Sequence, residues 1–246
     1  SQNLYLSAQT IKPHHLAEGT FKNNYIDSTD KSFSEWIKWV WNRTAPDSVE
    51  FPMAENDPNF LKNNRTEPTL TWIGHSTLLI QYEGFNLLTD PHLTQRASPV
   101  SFAGPERYMK PGISIQDLPH IDLIVISHNH YDHLDRLTLE KIRQKQADQP
   151  PKIFVPLKQK EWLDNLEIPN VVEMDWWDEH EYQGWKISAV PVQHWSGRGL
   201  WDRNQALWAG WVLEHSKFRF FFAGDTGYSK DFTDIGKKFN GFDLAA

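Results

Sequence analysis

Cysteine is absent from this 246-residue sequence, which excludes disulfide bonds, thiolate metal ligands and a cysteine nucleophile. This absence does not fix the cellular compartment. No cluster of lysine and arginine occurs, and the formal charge of −7 argues against nucleic acid as a partner held by bulk electrostatics. The longest apolar runs, IDLIVIS and FRFFFAG, are too short to span a bilayer. We therefore expect no transmembrane segment and a protein that is soluble or peripherally attached to a membrane, with its localisation left open.

Aromatic residues are abundant, with 12 tryptophans, 14 phenylalanines and 7 tyrosines. Core packing is the favoured interpretation, and a stacking surface or contact with lipid headgroups is the alternative. Residues 1–68 are predicted to form an N-terminal extension, in which segment 32–43 carries a capping box and an aromatic helical face. For this short amphipathic helix, docking on the core is favoured over a lid or membrane-facing role.

Residues 69–246 are predicted to form the main domain, because short apolar strands are separated there by helical segments. Turns are predicted at Glu83-Gly84 and around Ser216, and a last short helix is predicted to be capped by Ser229. This order of elements predicts a layered α/β or α+β domain. The final residues GFDLAA read as the beginning of a strand, so we expect the fold to be incomplete at its C-terminus.

The segment SHNHYDHLD, residues 127–135, concentrates potential metal ligands directly after the apolar run IDLIVIS. His128 and His130 are two residues apart, so in an extended chain their side chains point to the same side. Asp132 and His133 follow where the backbone leaves the strand. Two imidazoles beside a carboxylate–imidazole pair suit two neighbouring metal ions better than one. The alternative, a coincidental polar loop, is disfavoured.

Two further candidate ligands come at the ends of later apolar runs. His194 ends AVPVQH, and Asp225 ends FFFAGD, with Gly224 before it and Gly227 shortly after it. A buried carboxylate is costly unless it is paired or coordinated. Alone, either residue would more often be a hydrogen-bonded core or turn residue; beside the SHNHYDHLD segment, a metal-ligand role is favoured for both.

The HxHxDH pattern, followed by a later strand-end histidine and the sequence GDTG, resembles the metallo-β-lactamase superfamily. The resemblance implies an αβ/βα sandwich with two metal ions at one edge of two facing sheets. It implies that His128, His130 and His194 hold the first ion and that Asp132 and His133 hold the second. Asp225 would bridge both ions, and Asp90, in LLTDP, would support the site from behind the ligands.

A narrower resemblance rests on the segments WIGHSTLLI, TDPHLTQRASPVSFAGPERY, VVEMDWWDE and VPVQHWSGRGLWDRN. They are similar to the branch that contains N-acylphosphatidylethanolamine-hydrolysing phospholipase D, near which the ascorbate-phosphate lactonases lie. In the superfamily pattern, a final histidine ligand follows the bridging aspartate. No histidine follows Asp225 in this sequence, which we interpret as a truncated chain.

The resemblance implies an enzyme with two divalent metal ions as cofactors, zinc first and iron or manganese as alternatives. A hydroxide bridging the ions would attack phosphorus and cleave N-acylphosphatidylethanolamine to phosphatidic acid and N-acylethanolamine. Asp132 and His133 are the candidate catalytic residues. The alternatives are a small-molecule lactonase or soluble phosphodiesterase of the same fold, and a non-catalytic metal-binding fragment. The expected partner is a phospholipid or small phosphodiester, peripheral membrane contact stays open, and no oligomeric state is predicted.

Three residues are candidates for substrate binding. His75, in WIGHS, either lines the pocket or is an ordinary strand histidine. Arg198 either neutralises a phosphate bidentately or lies on the surface. Trp195 either lines an acyl-accepting mouth or packs in the core. His14 and His15 are predicted to be surface residues.

Overall fold

The computed structural model describes residues 12–26, 52–100, 102–199 and 201–246. The predicted amphipathic helix at 32–43 lies outside them. The strands are β1 (Thr69–Gly74), β2 (Thr77–Tyr82), β3 (Phe85–Thr89), β4 (Leu123–Val125), β5 (Lys152–Pro156), β6 (Val171–Met174), β7 (Glu179–Tyr182), β8 (Trp185–Val190), β9 (Gly210–His215), β10 (Phe218–Phe222) and β11 (Leu244–Ala245). The helices are α1 (Pro58–Asn63), α2 (Arg136–Lys145), α3 (Lys160–Asp164) and α4 (Asp231–Phe239).

The strands form two sheets. The first has six strands in the order β1-β2-β3-β4-β5-β6, and the second has five in the order β11-β10-β9-β8-β7. In the first sheet β1, β2 and β3 are antiparallel, and β3 to β6 run parallel to one another. In the second sheet only β10 and β11 pair in parallel. Parallel strands end at the same edge of a sheet, which places the loops after β3 and β4 side by side.

Three apolar layers hold the sheets and helices together, because successive strand residues point to opposite faces. In β5, Phe154 joins the core between the two sheets, whereas Ile153 and Val155 face the core beneath α2 and α3. On the outer face of the second sheet, Val212 packs with Ile235 of α4. The result is a four-layer αβ/βα sandwich, which confirms the predicted fold class. Among the described residues, no helix has the length and apolarity needed to cross a membrane.

The predicted turns occur where expected, but one predicted cap does not. Glu83 and Gly84 have φ values of 48° and 79°, as a type I′ hairpin between β2 and β3 requires. Ser216, with φ 52°, turns the chain between β9 and β10. The prediction that Ser229 is the N-cap of α4 is wrong, because the cap position belongs to Lys230. The Ser229 hydroxyl still accepts a hydrogen bond, 3.1 Å long, from the backbone N–H of Asp231.

Residues 12–26 pack against the main domain. Phe21 lies in the core between the sheets. His14 is 4% exposed, stacks on Trp176 with ring centroids 4.3 Å apart, and bonds Asp175 Oδ1 through Nε2 at 2.7 Å. The prediction that His14 lies on the surface is therefore wrong, because a partner far along the chain satisfies its polar edge. His15 stays partly exposed and lies 2.9 Å from the other Asp175 oxygen. The boundary at residue 68 stays a prediction.

Asp175 is expected to contribute much of the free energy that holds residues 12–26 against the main domain. Its carboxylate accepts from His14, His15 and the backbone N–H of Trp176, and it lies 3.1 Å from the Lys12 ammonium. Burial alone would raise the pKa of Asp175, but His14 and Lys12 outweigh burial and hold it well below its usual range. We expect Asp175→Asn to lower the free energy of unfolding at pH 7 by about 2 kcal/mol, as measured by urea denaturation.

The pH dependence of the loss of stability in Asp175→Asn follows from the direction in which folding shifts the pKa of Asp175. Because folding lowers the pKa of Asp175, its contribution is complete above the unfolded-state pKa of about 3.9 and disappears as the pH falls through the folded-state pKa. The difference between wild type and Asp175→Asn should therefore shrink below about pH 4. Asp164→Asn, which breaks only the exposed pair with Lys160, is the control and should cost less than about 0.5 kcal/mol. Equal losses in both variants would contradict the assignment.

Candidate metal centre

The predicted ligands lie together at the edge where strands of both sheets end. Residues 127–133 follow β4, and Asp90 directly follows β3 in the first sheet. In the second sheet, His194 follows β8 and Asp225 follows β10. An isolated bridge between Gln193 and Gly227 joins the two loops of the second sheet. All six residues predicted to ligate metal are thereby brought to one place.

His128, His130 and His194 form the first cluster. Nε2 of His128 lies 2.7 Å from Nδ1 of His130. Nε2 of His194 lies 3.2 Å from the former and 3.3 Å from the latter. Nitrogen ligands of one tetrahedral zinc ion, each bonded at about 2.0–2.1 Å, are about 3.3 Å apart. The two distances from His194 match this spacing, and the distance of 2.7 Å between His128 and His130 is shorter, so the three nitrogens converge on one point that a single ion could fill.

The three imidazoles of the first cluster are neutral at neutral pH. Burial, reinforced by the neighbouring His194, lowers the pKa of His130 to about 4. Burial also lowers the pKa of His194 to about 4 and that of His128 well below its ordinary value. Neutral imidazole is the form that binds metal ions. The fold therefore presents nitrogen lone pairs without first having to remove protons.

Asp132, His133 and Asp225 form the second cluster. Nε2 of His133 lies 3.3 Å from Oδ1 of Asp225 and 3.7 Å from Oδ2 of Asp132. This nitrogen is buried, and among the described residues it has no partner with hydrogen-bond geometry. The other oxygen of Asp225 lies 3.8 Å from Nε2 of His194 in the first cluster. The two carboxylate oxygens of Asp225 thus face different clusters, as a bridging ligand would.

The charge of His133 is set by the carboxylates around it. Burial would lower the pKa of His133, but Asp90 and Asp225 outweigh burial and raise it to about 10. Burial alone favours the neutral form of Asp90, yet three donors point at its oxygens. We therefore assign the negative charge to Asp90 and the positive charge to His133. A metal ion at Nε2 would replace a proton there.

Asp90 orients two of the clustered histidines, His128 and His133, through the Nδ1 side of their rings. It is fully buried, and its Oδ2 accepts from Nδ1 of His133 at 2.6 Å and from the Ser127 hydroxyl at 2.5 Å. The Ser127 oxygen lies 2.8 Å from Nδ1 of His128. Since the hydroxyl proton goes to Asp90, the oxygen accepts from His128. Both histidines then keep a proton on Nδ1 and turn Nε2 forward. This Nε2 is bare in the neutral His128, whereas in His133 it carries the proton that a metal ion would replace.

Ser127 has no assigned role in the sequence prediction. Its position as the polar residue that directly precedes the first motif histidine is the signal that could have identified it. Ser127 also leaves no room for a side chain at position 224, because a Cβ built on Gly224 would lie 2.5 Å from Cβ of Ser127. Gly224 also has φ 61°, a region that glycine occupies without strain. The glycine before Asp225 therefore lets the two strand ends approach each other.

Asn23 is a second residue that the sequence prediction missed. Its amide donates to the backbone carbonyl of His194 at 2.9 Å and accepts from the backbone N–H of His194 at 3.0 Å. Both polar groups of the His194 backbone are therefore fixed by residues 12–26. No local signal indicates this pairing, because 171 positions separate the two residues.

The three predicted substrate-binding residues lie at different distances from the clusters. Nε2 of His75 is 2.9 Å from Oδ2 of Asp132. The Trp195 ring meets the His130 ring edge-on with centroids 4.1 Å apart. Both residues therefore border the site, which is where substrate contacts would have to occur. Their roles in substrate binding stay predictions.

Arg198 has several partners within the protein. Its guanidinium lies between the rings of Tyr131 and Trp162, 4.1 and 4.4 Å from their centroids. It also donates to the carbonyls of Asn129 and Leu134, each at 2.9 Å. These carbonyls bracket the turn that carries His130, Asp132 and His133, so Arg198 holds that turn in place. A contact between Arg198 and a substrate phosphate stays a prediction.

The donor set fits two divalent cations. The first cluster offers three neutral nitrogens, and the second offers one nitrogen and carboxylate oxygens, with a carboxylate between them. Nε2 of His133 is buried and makes no well-aligned hydrogen bond among the described residues, so a metal ion would satisfy this polar atom. An αβ/βα sandwich with such a cluster at the edge of its two sheets defines the metallo-β-lactamase type of fold.

Comparison with known proteins agrees with this class. Residues 85–246 match the family model described as a beta-lactamase superfamily domain. The chain is 36% identical to N-acyl-phosphatidylethanolamine-hydrolyzing phospholipase D 1 of Caenorhabditis elegans, across 92% of this chain and 70% of that protein. It is 37% identical to the mitochondrial N-acyl-phosphatidylethanolamine-hydrolyzing phospholipase D of Saccharomyces cerevisiae, across 69% of this chain and 36% of that protein. The chain belongs to the beta-lactamase superfamily.

A solved structure shows the same fold. The isothiocyanate hydrolase from Delia radicum gut bacteria superposes with a TM-score of 0.55 over 72% of this chain and 69% of that one, at 21% identity. At this identity the likeness concerns the fold alone. The chain spans 70% of the length of the Caenorhabditis elegans relative and 36% of the length of the yeast relative.

Proposed function

We propose that this protein is a binuclear metal-dependent phosphodiesterase that hydrolyses N-acylphosphatidylethanolamine to phosphatidic acid and N-acylethanolamine. The observation that carries the two-ion site is the placement of Asp225, whose two oxygens face His133 and His194 at 3.3 and 3.8 Å. The substrate is carried by the similarity to two relatives whose names specify this reaction. In the balanced reaction, one water adds to phosphorus, the bond from phosphorus to the ethanolamine oxygen breaks, and the leaving oxygen takes a proton.

Zinc is the proposed ion, with iron and manganese as alternatives. Imidazole nitrogens and carboxylate oxygens are ligands that zinc accepts, and no thiolate is available in a chain without cysteine. When bound, two such ions supply Lewis acidity toward the phosphoryl oxygens and lower the pKa of water toward neutrality. No serine or cysteine nucleophile is required for this chemistry.

The protein's own residues would hold the metal-binding histidines in fixed orientations. Asp90 sets the tautomers of His128 and His133, and Asn23 fixes the backbone of His194. Asp132 is 37% exposed at its side chain, so it faces the open side of the site, where substrate must enter. Asp132 is therefore proposed as a ligand that also contacts the attacking water.

Exposed aromatic side chains support contact with a lipid surface. Trp201 and Tyr228 are 88% and 95% exposed. Trp201 comes a few residues after His194 and Tyr228 a few residues after Asp225, so both lie on loops that leave the metal site. Tryptophan and tyrosine favour the interface between water and lipid headgroups. We include peripheral membrane contact at this edge in the proposal.

Product analysis by mass spectrometry tests the proposal. The zinc-loaded protein is incubated with vesicles of N-acylphosphatidylethanolamine, with vesicles of ordinary phosphatidylethanolamine, and with a soluble aryl phosphodiester. His130→Ala, incubated in the same way, controls for contaminating activity. We expect phosphatidic acid and free N-acylethanolamine in equal amounts, dependent on added metal and absent in the variant.

The other outcomes separate the parts of the proposal. Turnover of the soluble ester alone would reject the lipid substrate and favour a small-molecule phosphodiesterase of the same fold. Equal turnover of both phosphatidylethanolamines would reject recognition of the N-acyl group. No turnover of any substrate by protein shown to hold two ions would reject the phosphodiesterase itself.

A further inference from the structure

His75 lies beside the second cluster although it is far from the HxHxDH segment in sequence. Its Nε2 is 2.9 Å from Oδ2 of Asp132, and its ring centroid is 5.0 Å from that of His133. One donor atom from each of His75, Asp132 and His133 lies within 4.8 Å of the others. These three residues therefore form a donor group of the same kind as His128, His130 and His194.

The backbone of His75 is held in an uncommon conformation. Its φ is 51°, in the left-handed region that costs a non-glycine residue of the order of 1 kcal/mol. The indole N–H of Trp72 donates to the His75 carbonyl at 2.8 Å, and the β1–β2 register shifts between Trp72 and Gly74. Irregularities of this kind redirect a side chain. Here the redirected side chain reaches Asp132.

An ordinary surface His–Asp pair is the competing interpretation, and the chain contains one for comparison. His120 and Asp122 precede β4, at its opposite end, with Nε2 and Oδ1 3.6 Å apart and His120 43% exposed at its side chain. His75 is equally exposed, at 44%. The two pairs differ in what lies beside them, because His75 and Asp132 adjoin Nε2 of His133, which is buried and makes no well-aligned hydrogen bond among the described residues.

The distances are compatible with a shared ion. Two ligands bonded to one zinc ion at about 2.0–2.2 Å lie no more than about 4.4 Å apart. Asp132 Oδ2 lies 2.9 Å from His75 and 3.7 Å from His133 Nε2, so both separations that involve Asp132 satisfy this limit, and the donor atoms of His75 and His133 lie within 4.8 Å of each other. Three donors with one oxygen between two nitrogens match zinc chemistry.

We propose that His75 supplies a nitrogen ligand to the second divalent ion, alongside Asp132 and His133. This inference rests on the two-ion site of the proposed function. It adds a ligand from the β1–β2 turn to the set that the HxHxDH pattern implies.

Metal binding by two His75 variants tests the inference without relying on activity. His75→Asn keeps a residue that tolerates positive φ but removes the imidazole. His75→Gln keeps an amide N–H able to reach Asp132, but offers a poor ligand. His120→Ala is the matched control, because it removes an equally exposed histidine from a His–Asp pair. Bound metal is counted by mass spectrometry, affinities come from competition titration with a zinc chelator, and cobalt-loaded samples report ligand changes by visible absorption.

We expect wild type and His120→Ala to hold two ions with equal affinities. Both His75 variants should keep the first ion and bind the second about 10- to 100-fold more weakly, with a changed cobalt spectrum at the second site. Wild-type affinity in His75→Gln would show that His75 acts only through its hydrogen bond to Asp132 and would overturn the inference. Wild-type affinity in both variants would overturn it while leaving the proposed function intact. Fewer than two ions in wild type would overturn both.

Discussion

Replacing Asp90 with Asn is expected to weaken binding of both metal ions by about 10- to 100-fold and to lower the free energy of unfolding by about 3 kcal/mol. Asp90 accepts three hydrogen bonds, two from Ser127 and one from His133. Asparagine offers one acceptor oxygen and turns two N–H groups toward donors. Its backbone preference is suitable, because asparagine tolerates the φ of 33° found at Asp90. The loss therefore comes from the carboxylate and not from the turn.

Two measurements separate the effects of this substitution. Urea unfolding in excess chelator gives the stability change without metal, and competition titration of the folded protein gives the affinity for each ion. Ser127→Ala removes the hydroxyl that links Asp90 to His128 but leaves the hydrogen bond between Asp90 and His133, so it should weaken the first ion more than the second. Asp164→Asn controls for the loss of a surface charge. An Asp90→Asn protein with wild-type metal affinity would contradict the role assigned to Asp90.

Replacing His130 with Ala is expected to abolish activity, with a loss of at least about 10³-fold in kcat/KM. Nδ1 of His130 is one of three nitrogens that converge at 2.7–3.3 Å in the first cluster. Without His130, the first ion would keep two nitrogens and only the carboxylate of Asp225, which it shares with the second ion, and fewer ligands of its own hold a zinc ion more weakly. We expect the count of bound metal to fall by one ion. Metal analysis by mass spectrometry and a kinetic assay on the same sample check both parts.

The fold of this variant should survive, because His130 is partly exposed and belongs to none of the apolar cores. Near- and far-ultraviolet circular dichroism of the metal-free proteins should therefore be unchanged. His120→Ala, at the opposite end of β4, should retain both metal ions and activity. Unchanged metal content in His130→Ala would reject the ligand assignment. A collapsed core would instead show that this histidine is structural.

Much of the fold was predictable because its signals are local. Strands such as β4 and β10 appear in the sequence as short apolar runs, and Gly84 is the residue type that the second central position of a type I′ turn favours. The predicted N-cap of α4 was wrong by one residue. The helix is capped at Lys230, although the hydroxyl of Ser229, one position earlier, accepts a hydrogen bond from the backbone N–H of Asp231. Helix ends depend on such small geometric choices, which the residue type alone does not resolve.

The sequence by itself determined which imidazole and carboxylate groups gather and at which edge of the sheets they do so. His128, His130, Asp132 and His133 are neighbours in the chain, and His194 and Asp225 each end an apolar strand, so their position follows from strand geometry. Only the tertiary structure decided which nitrogen of each histidine faces forward, since that depends on Asp90 and Ser127. It also decided that Asn23 holds His194 and that Asp175 buries His14, across 171 and 161 positions. Contacts of this range arise when the two sheets pack, and no local pattern encodes them.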